Sequence, residues 1–355
     1  MSRPAIARIN LDHLRHNYQL LKQRVGHSEI MAVVKANAYG HGLHLVAPTL
    51  FEEGCRNFGV TDATEGSELR AIIGKKNSAE ITLLSGVFDE EDAGLCLDRR
   101  LTPAITEPHQ VELLTKAGFN GDIWLKFDSG MNRLGAASPT ELFSIANESG
   151  LHVRGFMSHL ACADEPEHPM NLAQAKSFLE TCNLISPDTP KSLLNSAGLI
   201  SLRNYAFDVV RPGIALYGAE PVSDQPMGLK PVMSLSGEVM QVRDIPVSGS
   251  VSYGATFTAD KPMKVAVVGM GYADGVPRKL SSLGAVFIRG QKHPIIGRVC
   301  MDYTMVDISN SEIQLGDHVE FWGEHITANE VATQLDTISY TLFTGVGERV
   351  RRQAV

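Results

Sequence analysis

The sequence predicts an α/β chain: a (β/α)8 TIM-like barrel followed by a C-terminal, mostly antiparallel β domain. Three observations carry this. Short apolar or β-branched runs recur with helical patterns between them over the first two hundred or so residues. After Tyr217 the texture changes to alternating apolar and polar runs with proline and glycine between them. The chain's 355 residues, at roughly 100 to 200 per domain, fit a large barrel with an appended smaller unit.

Taken in order, residues 1–8 read as an N-terminal strand that joins the β domain, and residues 9–224 as the barrel. Eight strands are expected at 30–35, 57–61, 80–85, 101–105, 122–128, 151–158, 191–195 and 207–211. Between them lie helical faces such as Leu11, Leu14, Tyr18 and Leu21, or Val111, Leu113, Leu114 and Ala117. Alternating strands and helices imply parallel strands joined by crossovers. Eight such units match a barrel better than an open doubly wound sheet. Pro221, Pro226, Pro231 and Pro246 punctuate the next stretch. Runs at 233–242, 263–270, 285–289, 303–308 and 318–322 then alternate as half-buried antiparallel strands do. The boundary falls near 218–230, giving a β domain over 225–355.

With 32 Lys and Arg against 40 Asp and Glu, the net charge of −8 repels phosphate backbones and anionic lipid, which argues against nucleic-acid and membrane partners. No uncharged apolar run approaches the ~18 residues a membrane span needs, and the first residues lack the apolar core of a signal peptide. A cytoplasmic protein is expected. Cys55, Cys96, Cys162, Cys182 and Cys300 are odd in number and widely separated, which predicts reduced thiols and no disulfide framework.

The sharpest local signal is Met31-Ala32-Val33-Val34-Lys35-Ala36-Asn37-Ala38-Tyr39-Gly40-His41-Gly42. An apolar strand ends in Lys35 and is followed by small residues that let backbone and ligand approach closely. In a generic barrel such a lysine snorkels to water. At the C-terminal end of a barrel strand, where active residues gather, it is also a candidate for Schiff-base chemistry.

That segment resembles the pyridoxal-phosphate attachment motif of alanine racemases, and the likeness runs along nearly the whole chain. Further blocks similar to that family are Lys126-Phe127-Asp128-Ser129-Gly130-Met131-Asn132-Arg133, Ser158-His159-Leu160-Ala161, Asn195-Ser196-Ala197-Gly198 and Arg211-Pro212-Gly213-Ile214 in the barrel. Val251-Ser252-Tyr253-Gly254, Gly271-Tyr272-Ala273-Asp274-Gly275 and Arg298-Val299-Cys300-Met301-Asp302 continue it in the β domain. The resemblance implies a homodimer with shared active sites that interconverts L- and D-alanine and supplies D-alanine for peptidoglycan, using pyridoxal 5'-phosphate and no metal.

The resemblance also implies the roles of single residues. Lys35 carries the cofactor and then serves as one base; its amine, with a reference pKa near 10.4, has to fall to work near neutrality. Racemisation needs a second base on the opposite face, and by resemblance that is Tyr253 of the partner subunit, with His159 and Arg211 as the nearby candidates to stabilise its phenolate. Arg211 meets the cofactor's ring nitrogen. A guanidinium only donates, so that nitrogen must accept and stays unprotonated. Tyr39, Ser196, the amides of Gly213 and Ile214, and Tyr340 hold the phosphate, at the usual barrel phosphate cradle. Arg133 and the Met301 amide take the substrate carboxylate, and Lys126 matches a lysine carried as a carbamate, an anion able to hold Arg133.

Each residue also has a plainer reading. Tyr253 is then a strand tyrosine, Ser196 a helix N-cap, Lys126 an unmodified lysine paired with Asp128 or another acid, and Arg211 a surface arginine at a strand end. Thr341, Tyr303 and a tail without the usual proline depart from the family pattern. Two rival functions remain: a barrel-type amino-acid decarboxylase, which should place an acid where Arg211 stands, and a non-catalytic pyridoxal-phosphate carrier, which should need no β domain.

Overall fold

The computed structural model describes residues 4–74 and 78–355; the first three residues of the predicted N-terminal strand lie outside them. Strand β1 (Ile6–Ile9) is followed by eight parallel strands: β2 (Glu29–Val33), β3 (Asn57–Val60), β4 (Glu80–Leu83), β5 (Thr102–Ile105), β6 (Asp122–Lys126), β7 (His152–Met157), β8 (Lys191–Ser192) and β9 (Val209–Val210). They run in the order β8-β7-β6-β5-β4-β3-β2-β9. The ring closes through one parallel bridge, Asn195 to Arg211, just past the ends of β8 and β9. This is the expected barrel, nearly closed, with its last two strands shortened to two residues each.

Helices cover the barrel because their apolar positions recur on one side. Leu14, Tyr18 and Leu21 of the helix Leu11–Val25 are buried, and Asn10 caps it by accepting from the His13 amide. Inside, Met31, Ala104, Trp124, Met157 and Val209 fill the barrel. Burial of each large side chain contributes about 2 kcal/mol. Gly155 makes room for this layer, since a Cβ there would stand 2.3 Å from the Trp124 ring.

The second sheet is built from β1 with β10 (Met233–Ile245), β13 (Met263–Val268), β14 (Ala285–Ile288), β15 (Gln291–Pro294), β16 (Thr304–Asp307), β17 (His318–Trp322) and β18 (Arg351–Ala354), while β11 (Ser250–Val251) and β12 (Phe257–Thr258) pair with each other as a separate antiparallel ribbon. Its pairings are antiparallel except one. β1 pairs antiparallel with β10 and parallel with β18, so the two ends of the chain lie side by side. Two short helices, Ala328–Gln334 and Ser339–Thr344, interrupt the strands. The second packs onto the barrel mouth: a Cβ on Gly40 would collide with the Phe343 carbonyl at 2.1 Å.

Two local expectations are corrected. Strand β2 stops at Val33, so Lys35 does not end a strand but begins the turn that follows it. Tyr253 is not in a strand: it opens a tight 3-10 turn, Tyr253–Ala255, because Gly254 takes a positive φ of 73° that breaks the extended run.

Candidate active site

Among the described residues, the turn after β2 has the longest run of left-handed backbone. Ala36, Asn37, Ala38 and Tyr39 have φ of 52°, 53°, 55° and 52°, a full left-handed turn without glycine. Each such residue costs about 1–2 kcal/mol, so surrounding bonds must hold it. The Ala38 amide donates to Val34, Gly40 to Ala36 and Gly42 to Asn37. The Leu43 amide donates to Asn37 Oδ1 at 2.7 Å. His41, fully buried, bonds the carbonyls of Tyr39 and Ala38 through Nδ1 at 2.9 and 3.1 Å. Arg352 of β18 donates to the Gly40 carbonyl at 3.0 Å. The result lifts Lys35 and Tyr39 to the open end of the barrel.

There a cavity of about 540 Å³ gathers ten of the twelve predicted residues: Lys35, Tyr39, Lys126, Arg133, His159, Ser196, Arg211, Gly213, Ile214 and Tyr340. Tyr253 and Met301 stay outside it. They stand together on the β domain beside a shallower depression that also includes Cys300 and Tyr303. Tyr253 is 70% exposed and Met301 52%.

The cavity is strongly cationic, and its charges act on one another. Lys35 has its amine pulled below the usual lysine range by burial and by Arg133, while Glu65 opposes. Burial, with Arg211, Arg133 and Lys35 nearby, pushes Lys126 down to about 7. His159 falls well below its ordinary range through burial and the charge of Arg211, which keeps it neutral. Arg211 Nη2 lies 3.4 Å from His159 Nδ1. A guanidinium has no acceptor, so Nδ1 accepts and the ring proton sits on Nε2.

Arg211 is 5% exposed rather than a surface residue. It donates to Ser192 Oγ and the Ser158 carbonyl, both at 2.5 Å, and to the Leu193 carbonyl at 3.2 Å. These bonds lock the guanidinium plane. Ser196 is not an N-cap: the Asn195 side chain takes that place, accepting from Gly198. Ser196 Oγ instead accepts from the amides of Gly213 at 2.9 Å and Ala215 at 3.3 Å. Lys126 does not bond Asp128 but the Leu84 carbonyl, at 2.9 Å; Asp128 is occupied with the amides of Gly130 and Arg133. Tyr39 stacks on Tyr217 at 4.8 Å and meets Tyr340 at 5.7 Å. Burial raises the pKa of both cavity phenols, Tyr340 to about 12, so both remain protonated donors.

Sequence reasoning passed over Glu65. Its carboxylate accepts from the Ala36 amide at 2.6 Å and the Thr61 amide at 2.8 Å. The spacing Asp62-Ala63-Thr64-Glu65 is a capping-box signature that could have drawn attention to it. Ser192, Ser158 and Leu84, which orient Arg211 and Lys126, carry no local signal, because they act through tertiary contacts.

Comparison with known proteins agrees along the whole length. The alanine racemase N-terminal domain model matches residues 9–221 and the alanine racemase C-terminal domain model residues 232–354. The biosynthetic alanine racemase of Pseudomonas aeruginosa is 38% identical over 360 residues, covering 99% of each chain. The catabolic alanine racemase of Agrobacterium fabrum is 38% identical over 358 residues, 98% of this chain and 91% of that one. The crystal structure of the Pseudomonas aeruginosa enzyme superposes with a TM-score of 0.92 over 99% of both chains. The alanine racemase of Bartonella henselae with covalently bound pyridoxal phosphate, 33% identical, also superposes at 0.92, again over 99% of both chains.

Proposed function

This chain belongs to the alanine racemase family, isomerases that interconvert L- and D-alanine, and from that premise we propose a two-base mechanism on pyridoxal 5'-phosphate with active sites shared between two copies. The observation that carries it is the division of the predicted residues. The cationic cavity contains Lys35 and lacks Tyr253 and Met301, which stand exposed together elsewhere.

The donor set of the cavity fits the cofactor. The Tyr39 and Tyr340 phenols, Ser196 and the Gly213 turn offer neutral donors for a phosphate, and Gly213 leaves a gap that a Cβ would fill. Arg211 presents a fixed donor to a ring nitrogen, and Lys35 an amine whose proton is loosened. When bound through its aldehyde, pyridoxal phosphate acidifies the α-proton of an amino acid. The chain's own residues do the rest. Arg133 draws the substrate carboxylate into the cavity, and the Lys35 amine takes or returns the α-proton on one face. The Tyr253 phenol of the partner subunit does so on the other, and the partner's Met301 amide completes the carboxylate site. Arg211, which cannot accept, keeps the ring nitrogen an acceptor and restrains side chemistry.

In this reading residues 9–224 form the cofactor barrel and 225–355 the β domain. Residues 1–8 belong to the latter, as the pairing of β1 with β10 and β18 supports. The same reading takes the protein as a cytoplasmic enzyme that supplies D-alanine for peptidoglycan; among the described residues no helix is long and apolar enough to cross a membrane.

The test combines chiral analysis with subunit mixing. Purified protein with cofactor should convert L-alanine to a mixture of enantiomers, and borohydride should fix the cofactor to the Lys35 peptide. Lys35→Ala and Tyr253→Phe should each be nearly inactive alone and regain activity on mixing and refolding, because a mixed dimer has one intact site. Two inactive variants that stay inactive when mixed would rule out the shared site.

A further inference from the structure

The left-handed turn that carries Lys35 is held from below by one acid. Glu65 lies at the start of the helix Ala63–Ile73, where Asp62 caps by accepting the Glu65 amide at 3.0 Å. In an ordinary capping box the glutamate reaches back to the amide of the capping residue itself. Here it reaches one residue further, to Thr61, and across to the neighbouring loop, where its other oxygen takes the Ala36 amide. Both partners are N–H donors, so both oxygens must accept, and only a carboxylate satisfies them together.

Ala36 directly follows Lys35 and is the first left-handed residue. Its amide direction sets where the lysine side chain leaves the backbone. The charged groups that act on the Lys35 amine are few. Arg133 and Arg211 line the same cavity as cations, Lys126 stands there with its amine pushed down to about 7, and His159 is held neutral. The phenols Tyr39 and Tyr340 stay protonated there. Asp128 is bonded to its own loop beside Lys126, leaving Glu65 as the acid whose charge acts on Lys35.

We propose that Glu65 is the positioning residue of Lys35: its carboxylate orients the turn through the Ala36 amide and sets the acid–base balance of the lysine against the surrounding cations. This rests on the reading of Lys35 as the cofactor-linked base. Without Glu65 the amine would lose its proton at lower pH and leave the backbone along a different direction. The sign follows from Coulomb's law: removing an anion destabilises the protonated amine.

The test reads Lys35 directly. Full-length protein stripped of cofactor is trace-labelled with acetic anhydride across a pH series, and the Lys35 peptide is followed by mass spectrometry. In Glu65→Gln the amine should titrate at lower pH, raising its labelling near neutrality by about threefold or more, a shift of half a pH unit. Glu65→Asp keeps the charge but is shorter by one methylene, so it should titrate close to the parent while kcat falls and KM changes little. A Gln variant that folds and titrates as the parent does, or an Asp variant that titrates like Gln, overturns the proposal and leaves Glu65 a structural tie. Should the variants not fold, hydrogen exchange on the parent decides. The Ala36 and Thr61 amides should be protected about a hundredfold or more over free chain, and exchange at the free-chain rate overturns it. Labelling of Lys35 does not depend on turnover, so a parent that fails to racemise alanine defeats the functional reading without touching this one.

Discussion

Gly213 lies so close to Tyr39 that a Cβ on it would stand 2.4 Å from the phenol oxygen. The same glycine donates its amide to Ser196. One residue without a side chain thus lets the Tyr39 phenol and the Ser196 hydroxyl converge just past β9. Gly213→Ala should push the Tyr39 hydroxyl out of the cradle and weaken cofactor affinity about tenfold or more, roughly 1.4 kcal/mol. Tyr39→Phe in the same background should cost less than the two single effects added, since the clash is partly relieved. Titration of stripped protein with cofactor, followed by absorbance, measures both.

Tyr253→Phe should leave cofactor affinity within about twofold of the parent, because the cavity residues assigned to hold the cofactor do not include Tyr253. With Lys35 assigned to the face that exchanges the D-alanine proton and Tyr253 to the L-alanine face, exchange of the α-proton into deuterated water should fall about a hundredfold or more from L-alanine and less than about tenfold from D-alanine. NMR of the two enantiomers incubated separately reads this, and equal losses would contradict the assignment.

Arg211→Glu should redirect the chemistry. A carboxylate accepts and favours a protonated ring nitrogen, whereas the guanidinium excludes one. Half-transamination to pyruvate should rise at least several-fold relative to racemisation, as a coupled pyruvate assay beside chiral analysis would record. The substitution also removes the donors now given to Ser192 and to the carbonyls of Ser158 and Leu193. At ~1–3 kcal/mol per buried group left unsatisfied, the thermal midpoint should drop by several degrees. Transamination is therefore compared at a temperature where the variant is folded.

Lys126 makes stability depend on pH. Its amine, ordinarily at 10.5, is pushed down to about 7 in the fold. Between these values the unfolded chain binds the proton and the folded chain does not, so stability rises with pH from about 7 to about 10.5. In carbonate-free buffer, Lys126→Met should raise the thermal midpoint by a few degrees at neutral pH and flatten that rise. A neutral amine is also the nucleophile that adds to carbon dioxide, losing a proton to give a carbamate. Protein equilibrated with 13C-bicarbonate should show a carbamate carbonyl resonance that Lys126→Met lacks.

Some of this was readable in advance because it is written in local chemistry. The eight strands follow from short apolar runs at regular intervals, and nearly every run falls where a strand forms. The β-domain runs at 263–270 and 318–322 were visible for the same reason: alternation along a strand is a property of neighbouring residues. The residues of the Lys35 cavity were legible through short blocks whose order along the chain resembles one family. What alternation could not reveal is the left-handed turn at Ala36 to Tyr39. Alanine, asparagine and tyrosine have no preference for four consecutive positive φ values, and Arg352, His41 and Glu65 join the turn's own bonds in holding it.

The sequence by itself determined the order of strands and helices, the change from barrel to β domain, and which residue types carry chemistry. Those depend on periodicity and composition, which act over a few residues. Tertiary structure alone decided that Ser196 serves Gly213 rather than a helix end, that Lys126 bonds Leu84 instead of Asp128, and that Glu65 bonds the residue after Lys35. It also decided that Tyr253 and Met301 stand apart from the Lys35 cavity on one chain. Partners tens or hundreds of positions apart meet only when the barrel closes and the helix Ser339–Thr344 settles on its mouth. Which donor then faces which acceptor is set by the geometry of that closure.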